Sequence, residues 1–189
     1  MAMDFILASG SPQRKLLLEQ INMAPSLIEP ADIDETPKNG EKAAAYVKRM
    51  ALEKALSVAK KHPGKVVLAC DTIIVAGTKI IQKAHSDEEQ AMVMKLISGK
   101  AHKVLSAVCV VNSLGKPSVR LSSTKILMKR MSEQEISDYV KSKEWVGAAG
   151  YKIEGALAAL VRKIIGSYSG VVGLPLFETR NLLIGAGVK

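Results

Sequence analysis

Between Val66 and Ala76 the chain reads Val-Val-Leu-Ala-Cys-Asp-Thr-Ile-Ile-Val-Ala, an apolar stretch with one aspartate, Asp71, at its centre. So many β-branched residues in a short apolar run predict a buried strand rather than a helix. An ionised carboxylate inside such a strand is costly unless a cation, hydrogen-bond donors or a metal compensate it. Chains keep an acid there mostly where it acts on something. The run therefore predicts an enzyme whose centre lies near Asp71.

The 189 residues are 48% hydrophobic, enough to bury one core, so a single domain spanning residues 1–189 is expected. No apolar stretch approaches bilayer-spanning length, which argues against a membrane partner. The start, Met1-Ala2-Met3-Asp4-Phe5, lacks a basic segment followed by a long hydrophobic one. That start, and two cysteines (Cys70 and Cys109) lying inside apolar runs, predict a reducing cytoplasmic location with free thiols. The net charge of +9 is unevenly spread, with eleven basic against four acidic side chains between residues 65 and 131. An excess there either attracts a polyanion or simply solvates strand edges. Aromatics make up only 4% and are scattered, so a nucleic-acid partner, which would call for stacking platforms, is not expected.

Phe5–Ala8 reads as a strand that turns through Ser9-Gly10-Ser11 into a helix, with Ser11 as cap, Pro12 in its first turn and Leu16, Leu17, Leu18 and Ile21 as its apolar face. Residues 24–40 read as a polar loop carrying Asp32, Asp34 and Glu35. A second helix is expected from about Glu41 to His62, ended by Pro63-Gly64. Beyond the Asp71 strand, Gly77-Thr78-Lys79 predicts a tight reversal. Capping boxes at Ser86–Glu89 and Ser132–Glu135 open two more helices, the first stopped by Gly99. Strands are expected near 102–112, 118–129 and 157–164, followed by a loop through Gly166, Gly170 and Gly173 and a helix from about Leu176. Together these make an α/β unit with a mixed sheet.

Three constellations can carry chemistry. The strand-to-helix junction offers backbone N–H groups, Ser9, Ser11 and Arg14 to a phosphate, although Ser-Pro before a helix is also ordinary capping. It is not a Walker A loop, since no Gly-x-x-x-x-Gly-Lys-Ser/Thr occurs. Lys54 shares a helix face with Val47, Ala51 and Val58, so it either snorkels outward or reaches into a cleft to meet an anion. Asp71, with Lys83 past the reversal and the acidic loop, could seat a hard divalent cation riding on phosphates, or could be a structural acid paired with a lysine. His62, His85 and His102 show no zinc spacing. Tyr168 stands where a nucleophile elbow would need serine.

Taken in order, Leu7-Ala8-Ser9-Gly10-Ser11-Pro12-Gln13-Arg14, Glu53-Lys54-Ala55, Asp71-Thr72, Lys83-Ala84, Leu96-Ile97-Ser98-Gly99-Lys100-Ala101-His102 and Val171-Val172-Gly173-Leu174-Pro175-Leu176 resemble the Maf family of nucleoside triphosphate pyrophosphatases. The resemblance covers the chain from Leu7 to about Gly187. It implies an α/β fold with a mixed twisted sheet in two lobes and a cleft between them, similar to inosine triphosphate pyrophosphatase, and a homodimer. It implies hydrolysis of a nucleoside triphosphate to the monophosphate and pyrophosphate with Mg²⁺ or Mn²⁺. By matching positions, Asp71 would be the general base and, with Glu35, a metal ligand. Ser9, Ser11, Arg14, Lys54 and Lys83 would line the phosphate site, and Gln13, Thr72 and Glu154 fall where the family selects its base.

The chain departs from the family pattern at two places. Gln13 stands where arginine is common. Near residues 147–155 the usual Lys-Ala-Gly-x-Tyr-x-Ile-Gln-Gly appears as Ala148-Ala149-Gly150-Tyr151-Lys152-Ile153-Glu154-Gly155, one residue short and with alanine for lysine. Thr72 resembles the subgroup acting on dTTP and UTP, whereas Glu154 resembles the subgroup preferring 7-methyl-GTP. The resemblance leaves both open, along with a catalytically weak nucleotide- or nucleic-acid-binding regulatory protein.

Overall fold

The Val66–Ala76 run is strand β3, and the rest of the molecule is arranged about it. The computed structural model describes residues 4–188; residues 1–3, read above for a leader, and Lys189 lie outside them. The elements run β1 (Phe5–Leu7), α1 (Pro12–Gln20), β2 (Leu27–Ile28), α2 (Ala43–Lys61), β3, β4 (Lys79–Ile81), α3 (Asp87–Ile97), β5 (Ala101–Val111) and β6 (Pro117–Met128). There follow α4 (Glu133–Ser142), a 3-10 turn over Ala156–Leu160, β7 (Val161–Ile165), α5 (Tyr168–Val172) and α6 (Leu176–Gly185). The seven strands form one mixed sheet in the order β2-β1-β3-β5-β6-β7, with β4 paired to β3. β1 runs parallel to β2 and β3, and the other pairings are antiparallel.

Side chains alternate across a strand, so β3 feeds three apolar clusters. Val67, Ala69, Ile73 and Val75 pack under α2, with Val47, Met50, Ala51, Ala55 and Val58. On the opposite face Val66, Leu68 and Cys70 meet Leu17 and Leu18 of α1 and Leu183 of α6. Further along that same face Ile74 joins Met94, Ile126, Ile136 and Tyr139 beneath α3 and α4. Thr72 sits where the second cluster gives way to the third. It is in register with Ser106 and, beyond that, Ser122, so a hydroxyl row crosses the sheet between two apolar blocks. The glycine-rich segment lies over this row. The Ser106 hydroxyl donates to Gly170 O at 2.6 Å, and Ser167 N donates to Thr124 Oγ1 at 2.9 Å. The two apolar clusters of this face meet at this polar seam.

Several local expectations change. Ser11 precedes α1 but makes no side-chain cap bond, so the first turn keeps its N–H groups unclaimed by that hydroxyl. Leu16 is 62% exposed while Leu17 and Leu18 are buried, because three consecutive residues cannot share one helix face. The loop at 24–40 contains the short β2, which adds to the sheet edge. Ser132 and Glu135 form the reciprocal capping box. Ser86 caps Glu89 N, but Glu89 turns back to His85 N at 2.7 Å instead of to Ser86. The strand expected over 157–164 is half 3-10 turn: Ala156–Leu160 coils, and pairing with β6 begins at Val161.

Gly166 holds the seam closed. Its φ is +131°, and a Cβ there would lie 2.7 Å from Thr124 Oγ1 and 2.9 Å from Thr124 Cα. Backbone cannot give way as a flexible side chain can. We predict that Gly166→Ala destabilises the protein by about 3 kcal/mol, read by chemical denaturation. A loss below about 0.5 kcal/mol, the size of an ordinary surface change, would show that the seam adapts.

Candidate active site

Asp71 lies on the α2 face of β3, between Ala69 and Ile73, and is only 7% exposed. Helix α2 brings Lys54 down onto it, with Nζ 2.7 Å from Asp71 Oδ1. The helical stripe containing Lys54 therefore turns inward, and the alternative of outward snorkelling does not occur. The same ammonium lies 3.1 Å from Glu35 Oε1 of the acidic loop. Asp71 takes one of its three N–H donors as a hydrogen bond and Glu35 is an ion-pair neighbour, so the carboxylates do not use up the ammonium's donors. A charge this deep is tolerated because its partner is as deep: the Lys54 and Asp71 side chains are 11% and 9% exposed.

The acidic loop is pinned from α2. Tyr46 donates to Glu35 O at 2.8 Å and Arg49 to Thr36 O at 3.1 Å. Arg49 is itself gripped by Glu41 through contacts of 2.8 and 2.7 Å. That guanidinium holds the Glu41 carboxyl down at about 2. Burial, helped by the charges of Asp71 and Glu35, pushes Tyr46 up to about 12, so it stays a donor through the neutral range. Sequence reading missed Tyr46 and Arg49. The available signal was spacing, since Tyr46, Met50 and Lys54 recur every four residues.

On the other side of β3, Arg14 reaches from α1 to the glycine-rich segment. Its Nε donates to Gly173 O at 2.9 Å and its NH1 to Ser9 Oγ at 2.8 Å. The Gly173 carbonyl also takes Cys70 Sγ at 3.1 Å and Thr72 Oγ1 at 3.4 Å. Thr72 further pairs with Ser106 at 2.9 Å. Gly173 and its neighbours thus serve close backbone packing at the seam.

A cleft of about 460 Å³, of the size that holds small-molecule ligands, gathers most of the expected residues: Ser11, Gln13, Arg14, Glu35, Lys54, Asp71, Thr72, Lys83 and Glu154 all line it. Ser9 stands one step behind, buried and supporting Arg14. Gln13 accepts from the Ser11 hydroxyl at 3.3 Å. The β3–β4 hairpin pairs Ile74 with Ile81, and Lys83 follows two residues beyond the end of β4, on the cleft lining. Lys152 lines the cleft on the same strip as Ala148, so a lysine does reach this wall.

Among the described residues no group of three or more His, Cys, Asp or Glu side chains gathers as a metal cage. The donors fit a metal of another kind. Asp71 and Glu35 converge on one point, that occupied by the Lys54 ammonium, and present hard oxygen donors at a cleft wall. This suits a hard divalent cation that takes its remaining ligands from water and a substrate's phosphates.

A mixed sheet opened into a cleft, with a nearly buried carboxylate paired to Lys54 and with Lys83, Arg14 and the start of α1 on the same cleft lining, defines an α/β protein of the inosine triphosphate pyrophosphatase-like fold. A HAM1 protein of Coxiella burnetii shares that fold at a TM-score of 0.56 and 18% identity, with 97% of this chain and 100% of that one aligned. The chain belongs to the Maf family, whose model, described as Maf-like protein, matches residues 4–186. Its relatives include a protein of Zymomonas mobilis subsp. mobilis named dTTP/UTP pyrophosphatase, 47% identical over 99% of this chain and 93% of the relative. Another of the same name, from Paramagnetospirillum magneticum, is 44% identical over 96% of each.

Removing one partner of the Lys54–Asp71 pair leaves the other charge buried alone. Lys54→Met should therefore cost about 3 kcal/mol of stability, and adding Asp71→Asn in the same chain should restore most of it. Denaturation of the single and double variants checks this; purely additive losses would mean that the two groups do not depend on one another.

Proposed function

We propose that this chain is a nucleoside triphosphate pyrophosphatase that converts dTTP and UTP to the monophosphate and pyrophosphate. One observation carries the reading: a nearly buried carboxylate at a cleft wall, 2.7 Å from a lysine that keeps one donor for a phosphate. The names of the relatives support dTTP and UTP as substrates, as does Thr72 in the cleft. Glu154 lines the same cleft and supports 7-methyl-GTP as the second candidate. One sheet runs through all the described strands, which supports treating the chain as one catalytic domain.

The chemistry follows from the placement. Arg14, Lys54, Lys83 and the α1 start receive the phosphate oxygens, and the α-phosphorus is set before Asp71. A water molecule attacks that phosphorus in line. Its oxygen forms the new P–O bond, Asp71 takes its proton, and the bond to the bridging oxygen breaks so that pyrophosphate leaves. Negative charge builds on the leaving oxygens, where the fixed cations neutralise it. Asp71 and Glu35 would hold a divalent ion, Mg²⁺ or Mn²⁺, supplying Lewis-acid neutralisation of the same charge. Gln13 and Ser11 line the approach to the phosphates, while Ser9 keeps Arg14 aimed.

The proposal extends to a cytoplasmic homodimer. Two buried free thiols, Cys70 and Cys109, support a reducing compartment. Phe177 and Ile184, exposed and seven residues apart on α6, support an apolar surface for a second copy. Among the described residues no helix is long and apolar enough to cross a membrane.

Pyrophosphate release measured against dTTP, UTP, 7-methyl-GTP and the common nucleotides tests the reading. We expect turnover of dTTP and UTP that chelation abolishes and Mg²⁺ or Mn²⁺ restores, and a fall of about a hundredfold or more in kcat for Asp71→Asn. Preference for 7-methyl-GTP would favour the second candidate. Turnover that survives Asp71→Asn would remove Asp71 from the role of base.

A further inference from the structure

The cleft wall formed by Gly147–Ala149, Tyr151, Lys152 and Glu154 belongs to a segment of irregular backbone between α4 and the 3-10 turn. Such a segment has no helix or sheet ladder to fix it. Three consecutive residues in it are nevertheless held by buried side chains from three different elements. Gln90 of α3 donates from Nε2 to Gly150 O at 2.7 Å. His102 of β5 pairs through Nε2 with the Tyr151 hydroxyl at 2.5 Å. Tyr139 of α4 accepts from Lys152 N at 3.1 Å. Gly150, at φ +87°, is pressed so close to the hairpin that a Cβ would lie 3.0 Å from Ile74 Cδ1 and 3.3 Å from Ile81 Cγ2.

Holding the segment this way has a cost. Gln90 Oε1 and His102 Nδ1 are buried and find no partner among the described residues. Gln90 and His102 each spend one polar atom on the segment while another stays buried and unpaired. Burial also pushes His102 down to about 4, so its ring is a neutral partner at physiological pH. Buried polar groups kept at a cost, all aimed at one strip of cleft wall, are explained if that strip must not move. The start of α1, Arg14, Lys54 and Lys83 take the phosphates. The sugar and base are then left to Tyr151 and Lys152, with Ile74, Ile81 and Val104 beside them.

We propose that Gln90, His102 and Tyr139 are positioning residues that fix Gly150–Lys152 as the base-side wall of the cleft. They set affinity for the nucleoside part, and the choice among bases, without touching the substrate. This rests on the pyrophosphatase reading above, and ligands that separate base from phosphate keep the two tests apart.

Calorimetric titration with dTMP, dGMP and inorganic tripolyphosphate would compare the wild type with Tyr139→Phe, His102→Phe, His102→Gln and Gln90→Met. Tyr139→Phe removes a single oxygen and is the mildest of these. It and His102→Phe should weaken dTMP binding about tenfold, narrow its margin over dGMP and leave tripolyphosphate affinity unchanged. His102→Gln, whose amide reaches the Nε2 position, should restore dTMP binding. Amide exchange at residues 150–152 should quicken in the weakened variants alone. Parallel loss of dTMP and tripolyphosphate, unchanged dTMP binding in every variant, or a wild type that binds no nucleoside monophosphate would overturn the proposal. A wild type that binds dTMP as described yet releases no pyrophosphate from dTTP would instead overturn the pyrophosphatase reading.

Discussion

The contact between Lys54 and Asp71 is the constraint on which the site is built. A carboxylate in the middle of a central strand is tolerable only beside a cation that is equally withdrawn from water. This fixes how α2 lies over β3, because Lys54 must fall directly above Asp71. With α2 so placed, Tyr46 and Arg49, about two turns and one turn earlier, reach the acidic loop and draw Glu35 onto the same ammonium. A single ion pair thereby settles the position of a helix, a loop and one wall of the cleft. In the proposed reading, a phosphate would take the ammonium donor that Asp71 leaves free.

The second organising feature is the hydroxyl row through Thr72 and Ser106. On that face β3 changes from one apolar cluster to another, and an apolar residue at 72 would join them into a single block. Instead the hydroxyls and the Gly166–Gly173 segment satisfy one another, and Arg14 bonds into the same junction through Gly173 O. Arg14, on the cleft lining, is thus anchored at the boundary between the two apolar clusters.

Much of this was legible from the residues alone, for reasons that can be stated. Asp71 was visible because an acid contradicts the apolar run around it, and Lys54 because a lysine contradicts an apolar helical stripe. The reversal at Gly77 and the capping box at Ser132 were visible because their chemistry is local. The residues that escaped notice act on distant backbone: Tyr46 on Glu35 O, Gln90 on Gly150 O, Tyr139 on Lys152 N. A main-chain partner leaves no mark in side-chain pattern. Strand β2 escaped because two residues are too few to show a period, and residues 157–164 were misread because Ala156–Leu160 is apolar enough to pass for strand.

The most direct test is the structure of this protein with dTTP whose α,β-bridging oxygen is replaced by an imido group, together with Mg²⁺. The account predicts a phosphate oxygen within hydrogen-bonding distance of Lys54 Nζ and of Arg14, with the Asp71 carboxylate facing the α-phosphorus. A triphosphate bound elsewhere, with Lys54 and Asp71 still closed on one another and out of its reach, would contradict it.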